Sequence, residues 1–208
     1  MSAVKRSYFL EVLTFFTLLM LAIWLCPRGH NWRVGLAAVG LVWLVISIRL
    51  RGDSWESLGF GHGQKGFWVF TLICFGGLFL LAWALNPEVF SKPELWRNMA
   101  KKLGYPTWAI VQQFLLQSYL ANRISVCVKD EWRASLVTGA LFAIVHLPNP
   151  LLFLTTLVLG VGTTYFFLKH RNIYAIAFAH GLLGTAVKYL LAQDLLRHGM
   201  RVGPGFWN

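Results

Sequence analysis

Seven long apolar runs, joined by short polar connections, constrain this chain more than any motif within it. They cover residues 9–25, 34–48, 67–85, 107–124, 134–147, 151–168 and 173–191. A bilayer core needs about 20 mostly apolar residues per helix. Most of the runs reach or approach that length, and the second and fifth are the short ones. Their apolar character is continuous rather than alternating, which excludes a β-barrel. The chain is 57% hydrophobic and only 13% charged, whereas soluble domains are charged at about one residue in four. The expected fold is therefore all-α: one polytopic transmembrane helical bundle spanning residues 1–208, with about seven membrane helices. The first run follows Lys5 and Arg6 as a signal peptide would. Glu11 interrupts its start, and Cys26-Pro27-Arg28 stands where a small-residue cleavage site would lie, so it reads as a retained helix.

The formal net charge of +11 raises the question of nucleic acid. The Lys and Arg residues fall between the apolar runs, as membrane-flanking residues do, and form no nucleic-acid module. The connections on the N-terminal side carry slightly more of them, which points the N terminus to the cytoplasm of a multi-pass cell-membrane protein. Cys26, Cys74 and Cys127 form no CxxC, so neither a disulfide framework nor a zinc motif is written here. Residues 49–66 are polar and Gly-rich and are expected to form a cytosol-facing or interfacial loop. After Pro93, Leu95, Trp96, Met99 and Leu103 share one helical face and Arg97, Asn98, Lys101 and Lys102 the other. That pattern predicts an amphipathic helix in the headgroup region, with a solvated linker helix as the alternative.

Polar side chains inside three of the runs single out a site. The fourth run carries Gln112, Gln113, Gln117 and Asn122. The fifth carries His146, one turn after Phe142, and the seventh carries His180 with Gly181 and Gly184. Membrane glutamines commonly just bond a neighbouring helix, for about 0.6 kcal/mol, and a lone buried histidine is more often a satisfied core residue than a ligand. Two histidines on different helices with an amide cluster on a third instead suggest one wet cavity. Neutral imidazoles can bind metal, move protons or donate to an oxyanion. All three helix interiors lack a carboxylate; Glu11 lies near a helix end, and Asp130 and Glu131 at a helix entrance. No metal is expected, because two histidines and neutral amides make a weak site; a divalent ion on His146 and His180 is the disfavoured alternative.

In order and spacing these residues resemble the CPBP family of intramembrane endopeptidases, which includes type II CAAX prenyl proteases and bacteriocin-processing and immunity proteins. That family's Glu-Glu pair, followed by Arg, has its counterpart in QQFLLQSYL at 112–120. Its Phe-x-x-x-His motif matches FAIVH at 142–146, followed by LPNP. Its His-to-Asn motif aligns with HGLLG at 180–184, behind YFFLKHRNIYAIAFAH. The resemblance covers roughly residues 107–190 and implies a catalytic core there. It implies catalytic positions at His146, His180, Gln112 and Gln113, with Phe142, Gln117 and Gly184 supporting them. Gln112 and Gln113 occupy the places of the two acids, Gln117 that of the Arg, Ser118 that of a Gly and Gly184 that of the Asn. An amide takes no proton near neutral pH, and loss of a general base costs about 10²–10⁴ in rate. Yet acids and Arg are replaced together, leaving no uncompensated buried charge. Two functions follow: an endopeptidase cleaving a membrane-associated peptide or protein in the bilayer, or a silent relative that binds a hydrophobic peptide or partner helix.

Overall fold

The computed structural model describes residues 2–25, 32–61, 67–101, 105–191 and 200–207. Among these the regular structure is helical, apart from an isolated antiparallel bridge between Phe60 and Asn172. The helices are α1 (Ala3–Trp24), α2 (Trp32–Arg51), α3 (Phe67–Leu85), α4 (Pro93–Lys101), α5 (Tyr105–Gln113), α6 (Asn122–Val128), α7 (Glu131–Ile144), α8 (Pro150–His170) and α9 (Ile173–Ala186). A π-helical stretch, Phe114–Ala121, joins α5 to α6, and another, Val187–Leu191, continues α9.

Among the described residues five helical segments are long and apolar enough to cross a membrane, and the chain is an integral membrane bundle. The second run, short by its apolar residues, becomes a 20-residue helix. The fourth run is helical throughout but broken by its π stretch. The fifth, α7, has 14 residues, about 21 Å against a hydrocarbon core of about 30 Å. Only 6–11% of the spans in α1, α2 and α3 is buried, against 44% in α8 and 67% in α9. Hence α5 to α9 form the core, and α1 to α3 flank it with apolar faces such as Leu41, Leu72 and Leu80 exposed.

Local chemistry fixes where the core helices begin. Asp130, Asn149 and Asn172 each sit in extended backbone, and their side-chain oxygens accept from the N–H three residues on, at 2.7, 3.2 and 3.0 Å. Each thereby satisfies an orphan donor of α7, α8 or α9. Glycine sets how closely two of these helices pack. A Cβ at Gly139 of α7 would lie 2.7 Å from the Val161 backbone nitrogen of α8, and one at Gly160 would lie 2.9 Å from Gly139 Cα. Small residues at such a crossing let membrane helices approach backbone to backbone.

The connection after α2, expected as a cytosol-facing or interfacial loop, also packs into the bundle. Leu58 is buried, Ser118 Oγ donates to its carbonyl at 2.5 Å, and Asn122 Nδ2 donates to Ser57 O at 2.8 Å. Gly59, at φ +93°, lies where a Cβ would come 2.6 Å from the Phe167 ring, and its carbonyl accepts from Ile173 N–H. The loop is thus a plug in one end of the bundle, held by backbone hydrogen bonds that composition does not reveal. Of the amphipathic helix, Leu95 is buried against Val89 and Tyr189, while Trp96 and Arg97 are exposed. The side chains of residues 98–107 lie outside the described residues, as does Cys26.

Candidate active site

Helix α5 carries Gln112 and Gln113, and the π stretch that follows carries Gln117. Residues 116–121 of that stretch are buried, Gln117 and Ser118 fully. Such bulges concentrate at functional sites. Asn122 Nδ2 donates to Ser118 O at 2.9 Å, so a side chain supports the carbonyl at the bulge. Gln113 and Gln117, predicted to share a face, do: Gln117 Nε2 donates to Gln113 Oε1 at 3.0 Å and to Thr163 Oγ1 of α8 at 3.0 Å. Gln113 Nε2 in turn lies 2.5 Å from His180 Nδ1 of α9.

Gln112 points elsewhere. It is partly buried and lines a cavity of about 900 Å³, where its Oε1 is enclosed without a hydrogen-bond partner. His146, His180, Phe142 and Gly184 line the same cavity, whose other walls come mostly from apolar residues of α1, α3, α8 and α9. A volume near the upper end of the range for small-molecule sites leaves room for an apolar side chain or a short peptide segment. The Phe142 ring meets both imidazoles edge-on, with centroids 4.9 Å from His146 and 5.7 Å from His180. His146 Nδ1 lies 2.7 Å from Phe142 O. A carbonyl only accepts, so Nδ1 carries the hydrogen and Nε2 of the neutral ring keeps its lone pair.

All seven residues selected from sequence therefore converge, but in two layers. Gln112, Phe142, His146, His180 and Gly184 face the cavity, while Gln113 and Gln117 stand behind His180. No group of three His, Cys, Asp or Glu side chains comes together among the described residues. Asp130 is exposed and spent on capping α7, and Glu131 is exposed beside it, so neither lends the cavity a carboxylate. Ser118 donates to Leu58 O, and Cys127 Sγ lies against Lys5 O, both away from the histidines.

Two features escaped the sequence reading. Lys188, in the π stretch after α9, also lines the cavity. Outside it, a charge cluster ties α1, α2 and the plug to α6. Arg123, 1% exposed, donates to Glu11 at 3.0 Å and to both Asp53 oxygens, while Arg51 pairs with Glu11 and lies over the Tyr8 ring. No short-range pattern could expose it, because its members lie up to 112 positions apart.

The fold and site define a class: polytopic helical membrane proteins with a histidine- and amide-lined cavity within the helical bundle. Residues 95–186, which contain all seven residues selected from sequence, match the model of the Rce1-like type II CAAX prenyl endopeptidases. Over that stretch, 92 of the 208 residues, the chain is similar to that family. No curated protein and no solved structure matches the chain.

Proposed function

We propose that the protein is an intramembrane endopeptidase that hydrolyses a membrane-associated peptide or protein in the His146–His180 cavity, with residues 107–190 as its catalytic core. The observation that carries this reading is the His146 ring. Its Nδ1 is held by Phe142 O, which leaves Nε2 as the basic atom of a cavity-lining imidazole. His146 takes a proton from water as the oxygen adds to the scissile carbonyl. Hydrogen-bond donors of the cavity wall, the Gln112 amide among them, stabilise the oxyanion. Protonated His146 then delivers that proton to the departing amine, and the products are a carboxylic acid and an amine. The base is an imidazole where the family pattern has a carboxylate.

A second reading rests on a specific observation. Gln113 and Gln117 are fully buried in a row of amide hydrogen bonds behind the cavity. A silent relative would keep such a row merely to shape a pocket that binds a hydrophobic peptide or partner helix. Membrane terminomics in the host decides between the two, comparing wild type, the His146→Ala/His180→Ala double variant and a deletion. Peptide ends present in wild type and lost from both other strains support hydrolysis and name the substrate. A double variant indistinguishable from wild type, with a deletion phenotype intact, supports binding.

A further inference from the structure

We infer that Thr163 is a positioning residue: its hydroxyl sets the direction of a hydrogen-bond row through Gln117 and Gln113, and so fixes His180 with its hydrogen on Nε2. This rests on the peptidase reading for its consequence, though not for its test. The row begins on α8. Thr163, fully buried, donates its one hydroxyl hydrogen to Leu159 O at 2.7 Å, so towards Gln117 it can only accept. Gln117 must then present Nε2 rather than Oε1, and that same nitrogen reaches Gln113 Oε1 at 3.0 Å. With its oxygen engaged, Gln113 turns its own NH₂ to His180 Nδ1. A ring nitrogen that accepts carries no hydrogen, so in the neutral imidazole the hydrogen sits on Nε2.

The reverse row would need Thr163 to give up its bond to Leu159 O and donate to Gln117 Oε1. It would leave the Gln117 NH₂ as the orphaned group, whereas the observed row orphans Gln117 Oε1. Buried donors without partners are rarer than under-satisfied carbonyl oxygens, so the hydroxyl bond and the amide donors favour the same direction. The two cavity imidazoles are thereby set in opposite tautomers: His146 with its lone pair on Nε2 as base, His180 with N–H on Nε2 as donor to the oxyanion. A site of two histidines needs that division of labour, and a threonine outside all three motifs supplies it.

The test is ¹⁵N spectroscopy of ring-labelled histidine in the full-length protein in lipid, with the His180 signals assigned by their loss in His180→Asn. In wild type, His180 is expected as the Nε2–H tautomer. Thr163→Ser, which keeps the hydroxyl, should preserve that state. Thr163→Val, of similar shape but without the hydroxyl, should convert it to a mixture of both tautomers. His180 found with its hydrogen on Nδ1 in wild type overturns the inference, even if Thr163→Val fails to fold. A folded Thr163→Val variant with wild-type ring signals overturns it as well. Because no substrate is needed, the tautomer and the terminomics succeed or fail separately.

Discussion

Replacing a glutamate by glutamine keeps a side chain of the same shape and one acceptor oxygen, adds two donor hydrogens, and removes the capacity to take a proton. At Gln112 and Gln113 that one exchange has different consequences, because the first faces the cavity and the second faces Gln117 and His180. Gln112→Glu would place a carboxylate at the cavity wall, where the Gln112 oxygen already has no protein partner. A positioned general base is worth about 10²–10⁴ in rate. The variant should cleave about 10²-fold faster than wild type, measured as new peptide ends in proteoliposomes; an unchanged rate in a folded variant rejects Gln112 as the acid's positional equivalent. Gln113→Leu should instead destabilise the bundle by about 1–3 kcal/mol per stranded polar group, because Gln117 and His180 each lose a partner. Thermal unfolding in detergent reads that loss. The pairing of Gln113 with Gln117 and of Phe142 with His146 was legible in sequence, because both are four-residue spacings on a helix. The division of Gln112 and Gln113 into two layers was not, since adjacent residues on a helix point about 100° apart and the sequence does not say which of the two meets the cavity.

Helices α7 and α8 show how an element carries the site without touching chemistry. His146 follows the last turn of α7, and α7 is held against α8 by the backbone contact of Gly139 with Gly160. In Gly139→Ala, the new methyl would lie 2.5 Å from Val161 Cγ2 and 2.7 Å from its backbone nitrogen, and backbone cannot rotate away. The expected cost is about 1–3 kcal/mol, together with loss of cleavage as Phe142 and His146 shift from His180; wild-type stability and activity together would refute it. Arg123 plays the same part between the flanking and core helices. Arg123→Met strands Asp53, whose side chain is 13% exposed, and leaves Glu11 to Arg51 and Ser47. Breaking a buried pair costs about 3–5 kcal/mol, visible as a lowered unfolding midpoint. Adding Asp53→Asn should recover part of it, and no recovery would mean the charge pair is not what holds the plug. Sequence separates these two examples. The spans themselves were visible as apolar runs, but the glycine contact and the Arg123 cluster join residues whose partners only the folded bundle supplies.

Over the whole molecule, the cavity is closed by parts of the chain that come from both ends. Phe15, Phe16, Leu19 and Ile23 of α1 form one wall, and Met200 and Val202, near the C terminus, form part of another. The C-terminal segment is pinned beside the site: Gly203 N–H donates to Leu147 O at 2.8 Å, and Asn149 Nδ2 donates to Arg201 O at 3.3 Å. Both anchors follow His146 by only a few residues. Gly203, at φ +59°, also packs against Ile23, so that α1, the segment and the α7–α8 turn meet at one point. The polar tethers of α1 lie at its other end, through Lys5, Ser7 and Glu11, and among the described residues the half that walls the cavity meets it through apolar side chains. Contacts of that kind open at lower free energy than tethered ones. Residues 200–207 should therefore act as a strap whose removal widens access to the histidines. Cys74 of α3, which lines the same cavity, is a built-in reporter once Cys26 and Cys127 are changed to Ser. Truncation after Gly199 is expected to raise the rate of maleimide labelling at Cys74 several-fold while the helical content stays intact. Gly203→Val, which brings a branched side chain against Ile23 at a backbone angle suited to glycine, should raise it in the same direction. Equal labelling rates in the truncated, substituted and wild-type proteins would show that the cavity is entered elsewhere and that the segment is not a strap.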